Sequence, residues 1–311
     1  MANSNQRFYD SHAHLISDDL DRYPRNPVPI SIEGIPKGSP FGPGTMGFPG
    51  GMHGQTPNNV KPTAEQLHAW MKDENVVGAA VVQKGLIYRT DNRYIVDAAS
   101  MFPEEMCAVI IIDPMEDGTI EKIRQDAARG AIGVRFFPLD IKMDKIAWLS
   151  SEPAMEVWEL CNETGLIVDI ESTGTDHASV IPLIVNMANR FPDLRIVLDH
   201  VMLPAISSPD FGLSGPFDAL RKLDNVFVKW TSINLDMAFV AGVAPDKLCR
   251  AVVDFFGADR TMWGSDIGTS SGSYADMCRR GLESTRLLTG EERDKVLHDT
   301  AHRLFAAVTG D

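Results

Sequence analysis

The chain has 311 residues, 44% of them hydrophobic and 23% charged, with a formal net charge of −14. This acidic balance argues against nucleic acid as a partner, because phosphate binding needs a basic face, although a few arginines in a cleft can still hold a small carboxylate. No run of about 18 apolar residues is present, and the opening MANSNQRFYD has neither a basic nor an apolar targeting region, so the expectation is a cytoplasmic protein with no membrane partner.

The first strand candidate is FYDSHAH, residues 8–14. Alternate side chains of a strand face the same way, so His12 and His14 converge while Ser11 and Ala13 turn away. Residues 24–62 follow, rich in Gly and Pro and without periodicity, and so long a loop reads as one that covers a substrate. From there, short apolar runs alternate with amphipathic stretches. TAEQLHAWMKDE leads to VVGAAVVQ (76–83), NRYIVDAASM to MCAVIII (106–112), GTIEKIRQDAAR to AIGVRFF (131–137) and EPAMEVWELCNE to GLIVDIE (165–171). ASVIPLIVNMANR then leads to LRIVLDH (194–200), GPFDALRKL to NVFVKW (225–230) and PDKLCRAVVDFF to RTMWGS (260–265). YADMCRRGLESTRLL follows the last strand, and GEERDKVLHDTAHRLF is expected to pack outside at the C-terminus. Thr63 and Asp91 are cap-type residues at helix starts.

Apolar strands alternating with helices specify a parallel sheet covered by helices, and eight repeats specify closure. The expected fold is therefore α/β, a (β/α)8 TIM barrel forming a single domain over residues 1–311, with a long loop after strand one. The cysteines Cys107, Cys161, Cys249 and Cys278 form no C-x-x-C pair and read as thiols rather than disulfides or zinc ligands.

A barrel gathers its functional side chains at the C-terminal ends of its strands. Strand one ends in His12 and His14, strand four near Arg135, strand five in Asp169 and Glu171, and strand six in Asp199 and His200. Strand seven carries Lys229, and Asp266 follows strand eight directly. Any one of these alone has a plain structural explanation, such as a hydrogen-bonded core histidine; the set points to a site.

The D-x-H-x-H of Asp10, His12 and His14, the VLDH around His200 and the WGSD ending in Asp266 resemble the amidohydrolase superfamily. The words TDNRYIVDAA, GVRFF, FPDLRIVLDHVMLP and VKWTS are similar to its lactonase branch, which includes 2-pyrone-4,6-dicarboxylate lactonase, sugar-acid lactonases and a galactarolactone isomerase. The resemblance covers essentially the whole chain after residue 8. It departs from the metal-dependent members, which commonly supply a histidine at strand five and often a lysine at strand four; here Glu171 and Arg135 stand near those places.

A site of His12, His14, Glu171 and Asp266 could hold one zinc or manganese ion, with His177 a weak substitute ligand. Members of the branch without the strand-five histidine can also work without metal, so the cofactor is either none or one divalent metal, the metal-free form being favoured. The resemblance implies opening of a lactone on a carboxylate-bearing small molecule. Asp266 would activate water, with helix capping as its structural alternative, while His12, His14 and His200 polarise the carbonyl. Arg135 is the expected anchor for a substrate carboxylate, or else the partner of Asp169 or Glu171. Lys229 either binds substrate or pairs with Asp199; Glu171 and Arg89 complete the candidate substrate contacts. Asp10 and Asp199 read as residues that orient their neighbours, and Trp230, Trp263 and Tyr274 as packing near the rim. The competing readings are a lactone isomerase, a metal-dependent non-oxidative decarboxylase of an aromatic acid, and a non-catalytic binding protein. The sequence permits a homo-oligomer without deciding for one.

Overall fold

The computed structural model describes residues 6–26, 62–138, 146–172, 177–270 and 272–306. Nearly all of the expected covering loop, residues 24–62, lies outside them. Eight parallel strands run in chain order around one sheet: β1 (Phe8–Ala13), β2 (Val76–Val82), β3 (Met106–Ile112), β4 (Ala131–Phe136), β5 (Ile167–Ile170), β6 (Ile196–Leu198), β7 (Val226–Thr231) and β8 (Thr261–Gly264). Helices fill the intervals between them. The first and last strands meet where the Asp266 amide donates to the His12 carbonyl at 2.7 Å and the His14 amide to that of Ile267 at 3.1 Å. The molecule is the expected (β/α)8 barrel.

The strands read as continuous apolar runs because both their faces are covered. The outer face of the sheet packs against the helices in the larger apolar core. Inside the barrel, Val109, Ile132, Ile167, Val197, Phe227 and Met262 form a second core, closed from below by Leu304 and Phe305 of the C-terminal helix. Two residues further along the same strands, the inward side chains become Asp169, Asp199 and Lys229. The interior therefore changes from apolar at the N-terminal end to charged at the mouth. β1 reaches this pattern through register shifts on both sides of Asp10, which leave Tyr9 in the lower core and carry His12 and His14 to the mouth.

Several boundaries differ from the expectation. Thr63 caps the helix Ala64–Asp73 in a reciprocal box with Gln66, whereas Asn92, not Asp91, precedes the helix Arg93–Met101. β6 ends at Leu198, because the chain from His200 to Leu203 turns into left-handed conformations that a strand cannot contain. Ser232–Val240 forms a helix that periodicity does not reveal: its residues are apolar nearly all round and so show no face. The last predicted helix contains a π-helical stretch, Lys295–Asp299.

Candidate active site

His12 and His14 share a face, as alternation requires, and their Nε2 atoms lie 3.3 Å apart. His14 Nδ1–H donates to the Val82 carbonyl at 2.8 Å, so the neutral ring presents its lone pair at Nε2. Asp266 Oδ1 stands 3.3 Å from that nitrogen and 3.9 Å from Nε2 of His12. On its other side, His12 Nδ1 lies 3.1 Å from both Asp199 Oδ1 and Lys229 Nζ. Lys229 already donates to Asp169 and Asp199 and gives its third ammonium proton to His12 Nδ1, so His12 carries its own proton on Nε2, where it donates to the His14 lone pair. Burial, against which Asp199 works, holds His12 well below the usual imidazole range. Burial does the same to His14, reinforced by the positive charges of Lys84 and Arg135.

Asp266 is wholly buried, and neither of its carboxylate oxygens has a hydrogen-bond partner among the described residues. The His12 Nε2–H thus faces the His14 lone pair and, at 3.9 Å, the Asp266 carboxylate. His12, His14 and Asp266 form one group spaced to hold a metal, and His12, Asp199 and His200 form another. Glu171 belongs to neither group.

Glu171 instead accepts from His200 Nε2 at 3.1 Å and from Arg135 Nη2 at 3.2 Å. The opposite nitrogen of His200, Nδ1, lies 2.7 Å from Thr231 Oγ1, whose hydroxyl faces Asn234 Oδ1. Thr231 accepts from that nitrogen and Glu171 from the other, so both His200 nitrogens donate and the ring is an imidazolium. Burial opposes that charge, but Glu171, with Asp266 and Asp199, outweighs it and raises the His200 pKa. Asp199 and His200 are consecutive, and in a strand they would face opposite ways. The left-handed φ of 52° at His200, held by Asn234 donating to its carbonyl at 2.7 Å, turns both into the site. Asp266, with φ of 51°, sits in a similar turn.

Arg135 is engaged by Asp199 Oδ2 at 2.6 Å as well as by Glu171, and Lys229 by Asp169 and by Asp199 at 3.0 Å. A cavity of about 70 Å³ opens onto His14, Arg135, Glu171, His200 and Asp266. His12 and Lys229 stand behind its wall, and Arg89 is not among its lining residues. His177 lies elsewhere, with Nε2 against the Met202 carbonyl at 2.7 Å. Trp230 bonds Ser284, and Tyr274 donates to Asp10 at 3.0 Å; Asp10 also accepts the Ser265 amide at 2.8 Å, tying β1 to the end of β8. Two polar lining residues escaped the sequence reading: Lys84, whose ammonium donates to Thr269, and Thr269 itself. The strand candidate 76–83 stops one residue short of Lys84. Applying the strand-end rule to β2 would have found it.

The amidohydrolase family pattern matches residues 9–307. The chain belongs to the amidohydrolase family. This amidohydrolase is 29% identical over 215 residues to the L-fucono-1,5-lactonase of Burkholderia ambifaria, covering 64% of this chain and 69% of that protein. In structure it is similar to a putative 2-pyrone-4,6-dicarboxylic acid hydrolase from Pseudomonas putida, with a TM-score of 0.67, 22% identity and coverage of 96% and 97% of the two chains. A zinc-bound amidohydrolase from Burkholderia multivorans matches with a TM-score of 0.66 at 17% identity, covering 96% of this chain and 99% of that one. These likenesses establish the shared barrel. Among the described residues, no helix of the amidohydrolase is long and apolar enough to cross a membrane.

Proposed function

We propose that this amidohydrolase opens a lactone, the cyclic ester of a small carboxylate-bearing molecule. The observation that carries this reading is the buried Asp266 carboxylate, facing the cavity beside His14 with both oxygens lacking a hydrogen-bond partner among the described residues. The L-fucono-1,5-lactonase relative supports an ester substrate.

Asp266 accepts a proton from water as the water oxygen bonds to the lactone carbonyl carbon. Negative charge develops on the carbonyl oxygen, and the His200 imidazolium and the Arg135 guanidinium on the cavity wall stabilise it. The ring C–O bond then breaks, and the departing oxygen takes the proton from Asp266, giving a hydroxy acid. His14 orients the base, and His12, backed by Asp199 and Lys229, fixes the position of His14. His12, His14 and Asp266 also lie close enough together to fit a divalent metal, which when bound would polarise the carbonyl and acidify water.

The test is base uptake at constant pH with a panel of sugar-acid and dicarboxylic lactones. Asp266→Asn is expected to lose at least about 100-fold in kcat, the lower end of general-base contributions, with an unchanged circular dichroism spectrum. Near-normal turnover by that variant would remove the base, and no turnover of any lactone by the wild type would end the reading.

A further inference from the structure

Two residues of the cavity wall, His200 and Asp266, hold left-handed φ values of 52° and 51°. Side chains other than glycine keep that conformation only where their surroundings impose it. Asn234, on the helix Ser232–Val240 that leaves β7, imposes it on His200. β7 stands between β6 and β8, so this helix is placed to reach both of their ends. Asp236 follows Asn234 by two positions, roughly 200° round the helix, and meets the loop leaving β8. Its Oδ2 accepts the Ser270 hydroxyl at 2.9 Å. Ser270 is wholly buried, and its amide donates to the Asp266 carbonyl at 3.2 Å, beside that of Thr269 at 3.1 Å. Arg280, on the helix Tyr274–Ser284, donates to the other Asp236 oxygen, so the anchor for Ser270 is itself held.

This hold matters because the Asp266 carboxylate has no hydrogen-bond partner among the described residues. Its direction therefore follows largely from its backbone. That backbone is fixed at the amide by the His12 carbonyl at 2.7 Å, and at the carbonyl by the Thr269 and Ser270 amides. Asp236 and Arg280 line a separate groove of about 450 Å³, which among the described residues shares no lining residue with the cavity of the site. Changes at Asp236 thus leave the cavity wall as it is.

We propose that Asp236 is a positioning residue: through Ser270 it holds the left-handed turn that aims the Asp266 carboxylate into the cavity. This rests on the lactone reading above, which makes Asp266 the base. The variants Asp236→Leu, Asp236→Asn and Ser270→Ala are compared with the wild type on the lactone that it opens fastest in the panel above. Asp236→Leu and Ser270→Ala are expected to lose about 10- to 100-fold in kcat, as for a reacting group displaced by up to about 1 Å, with KM within about twofold. Asp236→Asn keeps a hydrogen bond to the Ser270 hydroxyl and should retain most of the rate, which preserves the test if Asp236→Leu does not fold. Added to Asp266→Asn, Ser270→Ala should cost less than about twofold more, because the group it positions is gone; a merely structural loss would recur there in full.

An unchanged kcat in Ser270→Ala and Asp236→Leu, an Asp236→Asn as slow as Asp236→Leu, or a loss that recurs in full without the base would overturn the proposal. If the wild type opens no lactone, it is the lactone reading that fails, and the hold is then judged by hydrogen exchange. The amides of residues 266–270 should exchange at least about 10-fold faster in Ser270→Ala, with those of β4 unaltered, as for losing one hydrogen bond that steadies a turn. Equal protection of that turn in the two proteins would overturn the role of Ser270.

Discussion

Lys229 is wholly buried beneath the proposed reaction centre, and its ammonium is tolerable there because Asp169 and Asp199 face it. Burial works against that charge, but the two carboxylates outweigh it and raise the lysine's pKa. Burial together with the neighbouring Asp199 pushes Asp169 up to about 7 even with Lys229 beside it, so the network is close to its limit of negative charge. Lys229→Met is therefore expected to cost about 3–5 kcal/mol in urea unfolding, the usual cost of breaking a buried pair. Adding Asp169→Asn to that variant should recover much of the loss, because the stranded charge goes with it. A single variant within about 1 kcal/mol of wild type would show that the pair does not hold the barrel's upper layer. Residue identity made these groups legible in the sequence, as polar side chains ending apolar strands. Their partners were not legible: whether Arg135 faces a substrate or Glu171 depends on distances across the barrel, which no spacing along the chain encodes.

At the scale of elements, the most consequential departure is the end of β6. Alternation predicts that Asp199 and His200 point apart; the left-handed run from His200 to Leu203 brings both inward, and the residue types give no warning, since Val201 and Leu203 ordinarily avoid that region. The strained turn persists because Asn234, on a helix the periodicity did not show, grips the His200 carbonyl. Elements that hold the scaffold follow simpler rules. Glu292 closes a capping box with Thr289 and receives both arms of Arg250 at 2.7 and 2.9 Å, joining the helix Pro245–Phe256 to the C-terminal segment. The Arg250 hydrogen bonds, with those from Thr289, hold its carboxyl down to about 2 from an ordinary 4.5. Because the folded value is depressed, the stabilisation is full above pH 4.5 and disappears as the pH falls toward 2. Glu292→Gln should lower stability at pH 7 by less than about 1 kcal/mol, as its exposure implies, and the gap from wild type should close across that acid window. A gap independent of pH, read from urea midpoints, would assign the effect to packing.

At the scale of the whole molecule, the barrel was legible because eight apolar runs, each followed by a helical stretch, leave few other ways to bury both faces of a sheet. Closure follows from the hydrogen bonds of His12 and His14 with Asp266 and Ile267, and it brings the chemistry of the first strand against that of the last. The sequence could place those residues at one rim. It could not say that His12 would stand behind the cavity wall while His14 faces it, since that depends on the register shifts around Asp10. The central claim is that water activated by Asp266 attacks a lactone carbonyl, and turnover in water enriched in oxygen-18 tests it most directly. One labelled oxygen per turnover should enter the new carboxylate and none the released hydroxyl. Label in the hydroxyl, or an unlabelled rearranged lactone as product, would contradict it.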